Sequence, residues 1–130
     1  MRLATHVWVG LLLRRVSAAG GFAMVLRKGE AHAGSVLVIE RLPDLRDDGR
    51  PVENLFMPAP TAEVLDDPLT DNDHRVYDLV ASDIDSQALA LRLEREARFD
   101  PDHWVVELEG VSAANFLRLT EGSENTSRPI

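Results

Sequence analysis

The sequence predicts an α+β domain: a mainly antiparallel sheet of about four to five strands with two principal helices packed on it. Three observations lead there. Apolar residues recur at three- and four-residue steps near the start, at Ala4, Val7, Trp8, Leu11, Leu12, Val16 and Ala19. Short apolar runs punctuated by glycine and proline follow, as strands do. A stretch rich in Ala, Leu, Glu and Arg then spans residues 83–98, and these are good helix formers.

The first helix is expected over Met1–Gly21, with Thr5 as N-cap and Gly20-Gly21 as the C-terminal stop. The competing strand at Val7–Leu13 matches a shorter stretch and lacks that stop. Val9 and Leu13 lie away from the main stripe, so the helix is apolar over most of its circumference. Such helices are usually buried on more than one side. Arg14 and Arg15 sit near the end that favours cations. Arg15 falls within the apolar stripe, either snorkelling its head into water or facing a carboxylate from the second half of the chain.

Phe22–Lys28 and Ser35–Arg41 read as two strands of a hairpin around the Gly29–Gly34 turn region, the second strand largely buried. Pro43–Pro51 reads as a loop with Asp48-Gly49 as its tightest turn, and Val52–Met57 as a strand ended by Pro58 and Pro60. Residues 61–75 form a long acidic connection. Arg75–Ala81 is a fourth candidate strand. The second helix, expected from Asp83 to Arg98, has Ser82, Asp83 and Asp85 as candidate caps and a candidate Glu94–Arg98 pair. Its buried face is open between Leu89, Leu93, Ala97 and Ile84, Ala88, Leu91. Pro101 stops it. His103–Glu109 reads as the last strand, with Glu107 and Glu109 on one face, and Val111–Leu119 as a short helix. One domain is expected over residues 1–119, with a polar, disordered tail over residues 120–130.

Composition narrows the function. The chain has 130 residues, a net charge of −8 and no cysteine. Thiolate metal sites, cysteine nucleophiles and disulfides are therefore excluded. The charge is uneven: residues 1–60 sum to +2 and residues 61–130 to −10. An acidic protein repels phosphate backbones, so nucleic acid is a disfavoured partner despite a basic group at Arg14, Arg15, Arg27 and Lys28. The apolar run Val7–Leu13 is too short to span a membrane. Arg27-Lys28-Gly29-Glu30 interrupts the path to a signal-type cleavage site at Ala31-His32-Ala33. A cytoplasmic location is the expectation.

Chemistry-bearing motifs are sparse. The histidines, His6, His32, His74 and His103, form no HExxH. Asp71-Asn72-Asp73-His74 is the densest set of oxygen and nitrogen donors. Counted from Asp71, an EF-hand needs glycine at its sixth position and glutamate at its twelfth, where Val76 and Ser82 stand. We expect no metal and no cofactor. No Gly-x-Ser-x-Gly, Ser-x-x-Lys or phosphate loop is present. Trp8, Phe22, Phe99 and Trp104 are expected to fill the core.

Several strings carry a resemblance. They are Met1-Arg2-Leu3 with His6-Val7-Trp8-Val9 and Leu12-Leu13-Arg14-Arg15, then Ala18-Ala19-Gly20-Gly21-Phe22-Ala23. Late in the chain come Glu96-Ala97-Arg98-Phe99-Asp100-Pro101-Asp102 and Trp104-Val105-Val106-Glu107. In these the chain resembles an uncharacterised bacterial family typical of alphaproteobacteria, domain-of-unknown-function family number 1491. The resemblance covers residues 1–41 and 82–109. Met57-Pro58-Ala59-Pro60 departs from it, standing where the family pattern has a glycine before Pro-Ala-Pro. The resemblance implies a bacterial cytoplasmic protein with no assigned activity and supplies no catalytic residues.

The expected function is thus a small non-enzymatic interaction domain, with a protein partner or self-association as a homodimer favoured over a small molecule. Its support is the apolar surplus of the first helix. Arg14, Arg15 and Trp104 are the candidate binding residues. The alternative is a small hydrolase or metal-dependent enzyme using the acidic 66–74 loop with His74 or His103.

Overall fold

A computed structural model describes residues 3–45, 51–60 and 75–123. In chain order it has α1 (Thr5–Ala18), β1 (Phe22–Arg27), β2 (Val36–Leu45), β3 (Pro51–Pro58), β4 (Val76–Asp85), α2 (Ser86–Phe99), β5 (Trp104–Glu109) and β6 (Arg118–Leu119). A single 3-10 turn, Ala113–Asn115, precedes β6 where a longer helix was expected. The fold is α+β with two helices on one mixed, six-stranded sheet ordered β1-β5-β2-β3-β4-β6.

The expected hairpin between β1 and β2 does not form. Strand β5 lies between them, antiparallel to β1 and parallel to β2. The physical reason is burial. In β2, Val36, Leu37, Val38 and Ile39 are all buried, and in β5 so are Trp104, Val105, Val106 and Leu108. Strands apolar on both faces belong in the middle of a sheet. β1 alternates between half-buried and exposed and takes the edge. The loop expected at Pro43–Pro51 is shorter, because β2 continues to Leu45 and pairs with Pro51 across a register shift that accommodates Pro43. Asp48-Gly49 lies outside the described residues. β4 also outruns its expected end. It carries two bulges against β3 and places Asp83 at φ 55.

Helix α1 begins later than its periodicity suggests. Its N-cap is Ala4, and Thr5 is the first helical residue. The buried Thr5 hydroxyl donates to the Gly34 carbonyl at 2.8 Å. The Thr5 and His6 backbone N–H groups donate to the carbonyls of His32 and Ala31. Loop carbonyls thus satisfy donors that every helix start leaves unpaired. At the other end Gly20, at φ +88, lets the N–H groups of Gly20 and Gly21 reach back to Ser17 and Val16.

Thr5, Val9, Leu12 and Val16 form the buried stripe of α1. They meet Val36, Val38, Phe56, Tyr77, Trp104, Val106 and Leu108 on one face of the sheet. Val9, expected off the stripe, is in it, whereas Val7 and Leu11 are exposed. The helix therefore packs on one side only. Trp8 stacks on Tyr77 at 6.0 Å, and the buried Arg75 guanidinium caps that stack at 5.2 Å from the Trp8 ring.

Helix α2 starts at Ser86, three residues late, with the Asp85 carboxylate accepting from the Ala88 N–H at 2.8 Å. It lies on the opposite face, packing Leu89 and Leu93 against Leu37, Ile39, Leu55 and Val105. That settles its orientation: Leu91 points to solvent. Arg92 and Glu96 form an ion pair along it at 3.4 Å. Thr120 and Ser123, at the start of the expected polar tail, are tied to β4 through Tyr77 and Leu79.

Candidate interaction face

α2 contacts β3 and β4 and reaches β5 at the buried Val105, leaving β1 and the Glu107–Glu109 end of β5 uncovered on its own face of the sheet. Two rows of side chains cross that side. Register places Phe22 beside Glu109, Glu109 beside Arg41, and Arg41 beside Glu53. The second row runs Met24, Glu107, Ile39, Leu55. Leu26, at a register shift in β1, and Lys28, just past the end of the strand, are also exposed. Phe22 is 75% exposed, Met24 59% and Leu26 48%. On the other face of the same strand, Ala23 and Val25 pack against the α1 core. Among the described residues β1 is the last strand of the sheet, and its outward backbone groups meet no other described strand.

The expectation that Trp8, Phe22, Phe99 and Trp104 all fill the core is therefore corrected. Trp8 and Trp104 do so, while Phe22 and Phe99 stand on the surface. Phe22 belongs to an edge strand, and Phe99 is the last residue of α2, beyond the part covering the sheet.

Beside the apolar strip lies a group of charges. Glu53 is buried, accepts from the Ser86 hydroxyl at 3.0 Å, and stands 4.0 Å from the Arg41 Nε. Glu107 neighbours it. Loss of water pushes the Glu107 carboxyl above the usual carboxylate range, and the hydrogen bond and negative charge of Glu53 push the same way. Arg41 opposes this and Glu109 adds to it. On the opposite face another buried glutamate, Glu40, accepts from the Asn54 amide at 2.8 Å and the Ala113 N–H at 2.7 Å. Asn54 in turn accepts from the Asp83 N–H. These groups are occupied in holding the 3-10 turn and the β4 bulge to the sheet.

The residues singled out in the sequence do not converge. Arg14 is exposed on α1. Arg15 lies over the Phe116 ring at 5.5 Å, so it faces an aromatic ring and not the carboxylate considered for it. Trp104 is buried, and its indole N–H donates to the Glu30 carbonyl at 2.7 Å. Arg27 donates to the carbonyls of His103 and Pro101. His6 and His32 meet at the start of α1 with ring centroids 6.0 Å apart. Glu30 accepts from the backbone of Ala33 and His32, which holds its carboxyl below the usual range. His103 is buried with Nδ1 on the Asp100 carbonyl. Among the described residues no group of three His, Cys, Asp or Glu is placed to hold a metal ion. The 66–74 loop and His74 lie outside the described residues.

Sequence reasoning saw that Glu107 and Glu109 share a face but missed Phe22, Met24 and Leu26. Alternate positions of β1 are apolar on both parities, so the strand reads as buried. Only its place at the edge exposes one side.

The family model described as "Protein of unknown function (DUF1491)" matches residues 3–118. The chain belongs to the DUF1491 family. No curated protein matches it. Three solved structures are similar to this DUF1491 chain. A solution structure of a protein from A. tumefaciens is 41% identical, with a TM-score of 0.72, covering 92% of this chain and 96% of that one. A crystal structure of a DUF1491 family protein from Caulobacter crescentus CB15 is 34% identical, with a TM-score of 0.64, covering 92% and 100%. An NMR structure of a DUF1491 family protein from the same organism is also 34% identical at 0.64, covering 93% and 99%. The family carries no assigned function. Among the described residues no helix is long and apolar enough to cross a membrane.

Proposed function

We propose that this DUF1491 protein is a small non-enzymatic interaction domain of the bacterial cytoplasm, engaging a protein partner or a copy of itself through β1. The observation carrying this reading is the exposed row Phe22, Met24 and Leu26 on an edge strand that α2 leaves uncovered. A contiguous apolar patch on an edge is a place where chains pair, and natural edges usually avoid it. The net charge of −8 speaks against nucleic acid. No cofactor or metal is invoked.

Photo-crosslinking in the native cell tests it. A benzoylphenylalanine at Met24 should yield a discrete protein adduct, and one at the exposed Leu91 of α2 should not. Equal or absent labelling at the two positions removes the reading.

A further inference from the structure

We propose that the occupant of this edge is a second copy of the same chain, paired β1 to β1 in antiparallel orientation to make one continuous sheet through both copies. This rests on the interaction-domain reading and adds the identity of the partner.

The argument begins with charge. Each end of the β1 strip carries a different sign. Lys28 lies exposed just past Leu26, and Glu109 lies exposed on β5 beside Phe22. A two-fold axis perpendicular to the sheet brings the Lys28 end of one copy to the Glu109 end of the other. Parallel pairing would set lysine against lysine and glutamate against glutamate. The edge is therefore complementary to itself in one orientation only.

Side-chain parity supports the same geometry. In an antiparallel pair, residues directly opposite share a face. With the axis at Met24, Met24 meets its own copy, and the exposed Phe22 of each copy lies towards the Leu26 end of the other. The bulge at Leu26, between Val25 and Arg27, limits the regular part of the edge to Phe22–Val25 and keeps the axis near Met24. A six-residue strand buries less than the about 1,200–2,000 Å² of a standard interface, so the dimer is weak and depends on concentration.

Sedimentation equilibrium on the full chain, up to about 0.5 mM to reach weak association, should show a monomer–dimer equilibrium. F22D should weaken association by about tenfold or more while leaving the circular dichroism spectrum and melting temperature unchanged. K28E and E109K should each weaken it, and the K28E/E109K double variant should restore it.

The chain has no cysteine, so a single M24C substitution reports without background. Opposed Cα atoms in an antiparallel pair sit about 4.5–5.5 Å apart, within disulfide reach. M24C should therefore oxidise to a covalent dimer, and V7C on α1 should not. A wild-type chain that stays monomeric overturns the proposal, as does a dimer indifferent to F22D. If the Met24 photo-crosslink joins a different protein while the purified chain is monomeric, the self-pairing falls and the interaction-domain reading stands. If no adduct forms and the chain is monomeric, both fall.

Discussion

At the scale of single residues, Glu107 offers a direct electrostatic test. Its pKa is raised on folding, chiefly by loss of water and then by Glu53. For a carboxyl raised in this way, ionisation opposes folding. The penalty is absent below the ordinary value of about 4.5, grows as pH rises towards the folded value, and is fully present above it. E107Q should therefore stabilise the protein at pH 7, and the gain should vanish in acid below about pH 4.5. The site is partly open to solvent, so the gain is on the order of a few tenths of a kcal/mol. Urea denaturation at the two pH values measures it. Little of this pair was legible beforehand. Glu53 and Glu107 are far apart in sequence and meet only because β5 lies beside β2, which lies beside β3. Arg15 and Trp104 teach the same lesson from the other side. Their residue types suggested binding, and their neighbours, Phe116 and the Glu30 carbonyl, engage them within the fold.

Elements were more readable than their partners. The period of α1, its Gly20 stop and the apolar run of β2 are local patterns, and each produced its element close to where it was expected. The boundaries that slipped did so for long-range reasons: β4 runs on through Asp83 because Asn54 on β3 accepts its N–H. The loop between β1 and β2 reads as the turn region of a hairpin over Gly29–Gly34. It instead lies against the chain entering β5, where the Glu30 backbone N–H donates to the Asp102 carbonyl. Gly29 makes that approach feasible, since an added Cβ would stand 2.2 Å from the Asp102 oxygen and 2.6 Å from the His103 carbonyl carbon. Both are backbone atoms that cannot swing aside. G29A should cost about 1–3 kcal/mol, seen as a lower denaturation midpoint with an unchanged m-value.

For the whole molecule, the class α+β and the two helices follow from pattern, but the strand order does not. Nothing local says that residues 104–109 separate residues 22–27 from residues 36–41. That arrangement arises because the two most apolar strands gain most from lying side by side under both helices. A chain ended at Asp102 loses an interior strand and the only strand partner of β1 among the described residues. It should show no cooperative thermal transition by circular dichroism, whereas the full chain should show one. The same order bears on biosynthesis. Chains leave the ribosome N-terminus first at about 5–20 residues per second. β1 and β2 thus wait for several seconds with their facing edges bare until the strand that fits between them emerges. During that interval the nascent polypeptide presents two greasy, unpaired ribbons to its surroundings, and chaperone capture at that stage of translation is the expected consequence.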